Sequence, residues 1–208
     1  MRKAKFIYLI ALFGILSNTI YSQTDSLGND KVISFKLYTG FGGGFGSKGS
    51  TFGQSLTFVS SNSWGGSISY KTNILKNKNV PPDYYDDGNR TFAPRDYLTL
   101  ISFNLVKEFL TSDKSMRIGI EAGPAWVKYN VAQFKLNPSY DPDNVIFDIY
   151  KYRKSHIASN TIGLTLIVKA EFMPSRFSGF ELAAFTNIND VQSVVGIELY
   201  FNVGKVRD

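Results

Sequence analysis

The 208-residue chain contains no cysteine and a single histidine. The missing cysteines exclude disulfide frameworks, Cys-ligated zinc, iron–sulfur clusters and thiol nucleophiles. One histidine leaves no multi-histidine metal site within the chain. Charged residues are sparse at 19%, yet 43% of the residues are hydrophobic, which is a folded rather than a disordered composition. Beyond the N-terminus no apolar run reaches the roughly 20 residues that a membrane-crossing helix needs. What the chain has in quantity is 17 Phe, 12 Tyr and 18 Gly, in a length suited to one domain.

Residues 1–22 read as a secretory signal peptide. Arg2, Lys3 and Lys5 form a positive start, Phe6 to Leu16 an apolar stretch, and cleavage is expected after Ser22. No cysteine follows, so a lipoprotein anchor is excluded. Losing Arg2, Lys3 and Lys5 lowers the formal net charge from +6 to +3, and the case for a nucleic-acid partner falls with it. A short periplasmic segment, 23–31, then leads into one domain over 32–208.

A period of two dominates this domain, with no helical period of 3.6. It predicts eight strands, at 32–45, 50–60, 63–74, 96–109, 115–130, 158–173, 178–187 and 192–205, of which 50–60 is the least regular. Ile162, Leu164, Leu166, Val168, Ala170 and Phe172 share one face of the sixth. Thr161, Gly163, Thr165, Lys169 and Glu171 share the other. Several runs reach the roughly 9–11 residues of a transmembrane strand. Links at 61–62, 110–114 and 174–177 are tight. Polar stretches 75–95 and 131–157 read as long loops, with shorter links at 46–49 and 188–191. Short turns at one end and longer loops at the other are the pattern of an outer-membrane barrel.

Alternation alone fits a soluble barrel with its apolar face inward or a membrane barrel with that face outward. Three features favour the second. Small residues crowd the polar face, among them Gly40, Gly42, Gly44, Gly65, Ser67, Ser69, Gly119, Gly123, Gly163, Gly179 and Gly196, as a narrow eight-strand lumen requires. Charges on that face nearly balance: Lys36, Lys71, Arg117 and Lys169 against Glu108, Glu121, Glu171, Glu181 and Glu198. Glu108 is expected near Arg117 and Lys169 near Glu181, since buried charges need partners. Aromatics fall toward strand ends, giving two expected girdles. Phe58, Trp64, Phe109, Phe172, Phe180 and Phe201 would mark the periplasmic rim, and Phe41, Phe45, Tyr97 and Trp126 the outer one.

The signal peptide ending before Gln23, the segment Tyr97-Leu98-Thr99-Leu100-Ile101-Ser102-Phe103-Asn104-Leu105 and the following Gly119-Ile120-Glu121-Ala122-Gly123-Pro124 together resemble the small outer-membrane β-barrel proteins of Bacteroidota, the PorT-type family. The strand plan is more distantly similar to OmpA/OmpX-type eight-strand barrels. The family usually carries a proline within the 97–105 strand where this chain has Ser102, and the chain ends Lys205-Val206-Arg207-Asp208 without a terminal aromatic residue. The resemblance implies an integral outer-membrane protein and, for most members of the family, no specific activity.

Candidate chemistry is thin. Gly40-Phe41-Gly42-Gly43-Gly44-Phe45-Gly46 lacks the following helix that a phosphate-binding loop needs. His156 and Ser159 resemble a lipid A deacylase pairing, but three residues apart on a strand they face opposite ways. Asp83, Asp86, Asp87, Asp141 and Asp143 offer oxygen ligands for calcium without EF-hand spacing. Tyr150-Lys151-Tyr152-Arg153-Lys154 is a candidate contact for lipopolysaccharide phosphates. No cofactor, metal site or catalytic residue is expected. The expected surroundings are outer-membrane lipid and, during biogenesis, the barrel-assembly machinery, around a monomer. The leading reading is a barrel with a side-chain-filled lumen and a structural or surface-recognition role. The alternatives are a lipid A-modifying enzyme on the same fold and a soluble periplasmic barrel that binds an apolar ligand.

Overall fold

Period-two alternation without helix signals becomes an all-β chain in a computed structural model, which describes residues 35–81, 94–111, 115–138 and 151–206. Eight strands follow in order: β1 (Phe35–Gly46), β2 (Gly49–Ser60), β3 (Trp64–Lys76), β4 (Arg95–Leu110), β5 (Met116–Leu136), β6 (Tyr152–Phe172), β7 (Ser178–Ile188) and β8 (Val194–Lys205). Each pairs antiparallel with its chain neighbour, and β1 pairs with β8 from Leu37↔Lys205 to Gly46↔Gly196, closing the barrel. Closure leaves no sheet edge around the wall.

The irregular segment 50–60 is a full member of that wall. β2 is paired along its length with β1 and with β3. Its weak alternation has a simple origin, because outward Ser50 and Gln54 interrupt Phe52, Leu56 and Phe58.

The polar stretch 131–157 departs from the expected loop. β5 continues to Leu136 and β6 begins at Tyr152, so both run 21 residues. The pairing of β4 with β5 ends at Tyr97↔Asn130, and that of β6 with β7 begins at Leu164↔Ile188. The outer parts of β5 and β6 therefore stand above the wall as a two-stranded ribbon. The β6 half of the ribbon, Arg153 to Ile157, is exposed on both faces and needs no apolar alternation, which is why composition alone reads it as loop. Strand structure likewise extends over Leu75, Lys76 and Arg95 at the ends of the stretch 75–95.

Several sequence expectations lie outside the described residues. They are the signal peptide, segment 23–31, the strand start at 32–34, turn residues 112–114 and 207–208, and the acidic runs 83–89 and 141–144.

Candidate functional site in the barrel interior

Side-chain parity sorts the strands into two surfaces. Inward positions hold every described glutamate, and outward positions hold aliphatic and aromatic side chains such as Ile68, Phe103, Ile118, Leu166, Leu182, Ile197 and Leu199, all exposed. Among the described strand residues no acidic side chain faces outward from the wall. Its outward cations sit only toward the ends of the wall, at Lys76, Arg95 and Lys128 on one side and Lys107 and Lys205 on the other. The aliphatic faces thus point away from the lumen, and a pocket lined by them, as a soluble ligand-binding barrel would need, is not what this wall encloses.

The lumen has distinct layers, ordered by position along the strands. At the short-turn end, Tyr38, Met173 and Val206 form a buried apolar cluster. Beside it lies the main charge network. Lys36 Nζ donates to Glu108 Oε2 at 2.7 Å. Arg117 Nε lies 3.3 Å from Glu108 Oε1 and donates to Glu171 Oε2 at 2.6 Å, while its Nη2 pairs with the same Glu171 carboxylate. Its Nη1 donates to the Val206 carbonyl at 2.6 Å, tying the segment after β8 into the network. Lys169 Nζ sits 2.6 Å from Glu121, 2.9 Å from Glu171 and 3.3 Å from Glu181. The Tyr38 hydroxyl donates to Glu171 at 3.1 Å, and the Arg117 guanidinium lies 4.8 Å from the Tyr38 ring centroid.

The register explains this geometry. Arg117 is directly opposite Glu171, which is directly opposite Glu181, so a cation and two carboxylates form one row across β5, β6 and β7. Two like charges opposite one another are unfavourable, and Lys169, two residues before Glu171 on the same face, contacts both. The expected neighbours Glu108/Arg117 and Lys169/Glu181 are thus each 3.3 Å apart. A second centre joins Lys71 Nζ to Glu198 Oε2 at 2.5 Å, with Thr51 and Tyr200 donating to the same carboxylate. Lys71 also lies 3.8 Å from the Phe185 ring centroid.

All nine charged residues singled out in the lumen are buried: Lys36, Lys71, Glu108, Arg117, Glu121, Lys169, Glu171, Glu181 and Glu198. The sequence reading missed their neutral partners. Ser67 donates to Glu121 at 2.6 Å, Asn104 at 3.4 Å, and Asn202 donates to Glu181 at 3.2 Å. Their signal was parity, since each shares the inward face with a charge. Also missed was a buried apolar layer nearer the long-loop end, where Leu75, Leu98, Leu100, Ala125, Val127, Ile167, Ala183, Phe185 and Val194 pack together. Tyr97-Leu98-Thr99-Leu100-Ile101 carries its signal, being apolar on both faces as a strand covered on both sides is. Asp96 caps this layer and accepts from Asn77 at 2.7 Å, the Ala132 backbone N–H at 2.9 Å and Tyr129 at 3.1 Å.

Glu198→Gln removes the anion facing buried Lys71 and leaves Thr51 and Tyr200 to an amide. The expected loss is about 2 kcal/mol, reduced from the usual cost of breaking a buried pair by the Phe185 ring and the remaining hydrogen bonds. An unchanged urea midpoint in detergent micelles would contradict the pairing.

Of the aromatic residues singled out, Phe45, Phe58, Trp64, Tyr97, Phe109, Trp126, Phe172, Phe180 and Phe201 are outward and exposed. Phe172 pairs with Phe180 and Phe180 with Phe201 across neighbouring strands. Phe41 departs from its expected place at the outer rim. It sits mid-strand opposite Phe201, five residues before the end of β1. Trp126 also falls mid-strand, since β5 runs on into the ribbon.

The glycine run is strand throughout and cradles no ligand. A Cβ at Gly42 would overlap the Leu199 carbonyl oxygen and come within 2.7 Å of Tyr200 Cγ, so absence of a side chain there makes room for the Tyr200 ring. His156 and Ser159 are both exposed on β6, and the ladder passes regularly from Ala132↔His156 to Tyr129↔Ser159. No bulge turns them to one face. Among the described residues no group of three or more His, Cys, Asp or Glu is placed to hold a metal ion.

No protein-family model matches the chain, and no curated protein sequence matches it. The fold does match solved structures. A major outer membrane protein from Thermus thermophilus superposes with a TM-score of 0.56 at 11% identity, over 82% of this chain and 99% of that one. The N-terminal β-barrel domain of Pseudomonas aeruginosa OprF gives 0.50 at 11% identity, over 81% and 96%. At such identities the likeness is one of fold, the eight-strand up-and-down barrel known from outer-membrane proteins.

Proposed function

We propose that this chain is an integral outer-membrane barrel with a side-chain-filled lumen, acting in a structural or surface-recognition role and forming no large pore. The observation that carries the reading is the partition of side chains. Ion-paired charges are buried inside, while an apolar surface with no outward acidic residue among the described strand residues encircles the wall. In water that surface would be an aggregation hazard, whereas in lipid it is the favourable arrangement. The short turns then lie on the periplasmic side, and the long loops and the β5–β6 ribbon on the cell surface. The exposed aromatics supply the interfacial anchors, with Phe41 within the apolar belt. The resemblance to the small PorT-type barrels of Bacteroidota supports the same placement. So does the likeness of fold to outer-membrane barrels. Export through the signal peptide, insertion by the barrel-assembly machinery and a monomeric state complete the proposal.

The lumen layers support the absence of a pore, because an eight-strand interior is only wide enough to be filled by side chains. The protein is expected in the membrane fraction, with a band that shifts on heating before electrophoresis. In planar bilayers it should show no stable large conductance. Recovery in the soluble fraction would overturn the membrane reading, and a stable large conductance would overturn the filled lumen.

A further inference from the structure

The outward cations at the two ends of the wall have different surroundings. At the short-turn end, Lys107 lies 4.9 Å from the Trp64 ring centroid and Lys205 lies 5.5 Å from that of Phe35. At the long-loop end, Lys76 and Arg95 are directly opposite one another on β3 and β4. No ring or carboxylate contacts either among the described residues. Like charges set directly opposite are destabilising. The Lys76 backbone N–H donates to the Lys48 carbonyl at 3.3 Å, which brings a third cationic residue alongside. Lys48, Lys76 and Lys78 border one cavity of about 660 Å³ at the barrel mouth. Asp96, which also lines it, is already satisfied by three donors.

The position of this cluster selects its ligand. Two residues below Lys76 and two beyond Arg95 lies the outward pair Ile74↔Tyr97, the upper margin of the apolar belt on β3 and β4. Lys76 and Arg95 therefore sit where a lipid's headgroup meets its acyl chains, with Lys48 and Lys78 beside Lys76 at the barrel mouth. Lysine and arginine stems extend along apolar surface and hold their charges at that level, and phosphate oxygens accept charge-assisted hydrogen bonds from both. Resting on the membrane placement proposed above, we infer that Lys48, Lys76, Lys78 and Arg95 form a clamp for the phosphate of a phosphorylated outer-leaflet lipid.

The test uses the full-length protein in detergent micelles and native mass spectrometry, with bis-phosphorylated lipid A as probe beside the same lipid stripped of its phosphates. Wild-type protein should retain the phosphorylated lipid and lose the dephosphorylated one. K76Q/R95Q should bind the phosphorylated lipid roughly thirtyfold more weakly, as the loss of two interfacial cations implies, and K107Q should bind as wild type does. Excess inorganic phosphate should fail to displace the lipid, since it lacks the acyl chains that rest on the belt. Displacement by inorganic phosphate would overturn the lipid assignment in favour of a free anion. Equal retention by wild type and K76Q/R95Q would overturn the clamp, as would retention without phosphates. So would no retention at all. A heat-shifted band from the same samples separates the two proposals, because a failed clamp leaves the shift intact and a failed membrane reading removes it.

Discussion

Lys169→Met should destabilise the barrel by about 3–5 kcal/mol, the usual cost of stranding buried charge. The Lys169 ammonium group is the one cation contacting Glu121 and Glu181 among the described residues, and it shares Glu171 with Arg117. Without it, Glu121 keeps Ser67 and Asn104 and Glu181 keeps Asn202, but neither keeps a counter-charge. Urea unfolding in micelles, followed by the fluorescence of outward Trp64 and Trp126, reads the loss directly. Adding Glu121→Gln and Glu181→Gln to Lys169→Met should recover much of it, because amides keep hydrogen bonds while removing the stranded charge. A Lys169→Met midpoint equal to wild type would show that these contacts contribute nothing net.

Gly42→Val should prevent barrel formation, with a cost above the ~1–3 kcal/mol of ordinary overpacking. The obstruction at Gly42 is backbone as well as ring, since the added Cβ would meet the Leu199 carbonyl oxygen and lie 2.8 Å from Tyr200 Cα. Backbone in the closing β1–β8 pair cannot move without loosening the ladder. Gly66→Ala is the matched control. Gly66 faces outward, and the nearest atom to its added Cβ is the Asn104 carbonyl oxygen at an ordinary 3.7 Å. The heat-shifted band should vanish in Gly42→Val and persist in Gly66→Ala. Its persistence in both would mean that Tyr200 and β8 rearrange freely.

The strand plan was legible because each wall strand separates a lipid-type face from a lumen-type face, and parity survives in every one of them. The charged lumen residues could be listed for the same reason. Their partners could be read only where a tight turn fixes the register, as for Glu108 with Arg117 across 111–115 and Lys169 with Glu181 across 173–177. The contacts of Lys36 with Glu108 and Lys71 with Glu198 cross the lumen between strands distant in the chain, and no local spacing encodes them. The buried layer around Leu98, Leu100 and Phe185 was hidden for a related cause. An apolar residue at an inward position breaks the alternation and resembles noise until its neighbours on other strands are known. The ribbon escaped because Arg153-Lys154-Ser155-His156 is polar on both faces, and the alternation of Ala132, Phe134 and Leu136 is too short to stand out beside it.

The reach of these contacts along the chain has a consequence for assembly. Lys36 and Glu108 are 72 residues apart, Arg117 and the Val206 carbonyl 89, Lys71 and Glu198 127, and Tyr38 and Glu171 133. Contacts between remote segments form late, because long loops must close first. An open sheet of eight strands joined by seven pairings would still expose Glu198, Lys71 and the Arg117 side chain without all their partners. Such a sheet has an apolar outer surface ready for lipid and an inner surface that must stay wet. The seam between β1 and β8 is therefore the contact on which the enclosure of these buried charges depends.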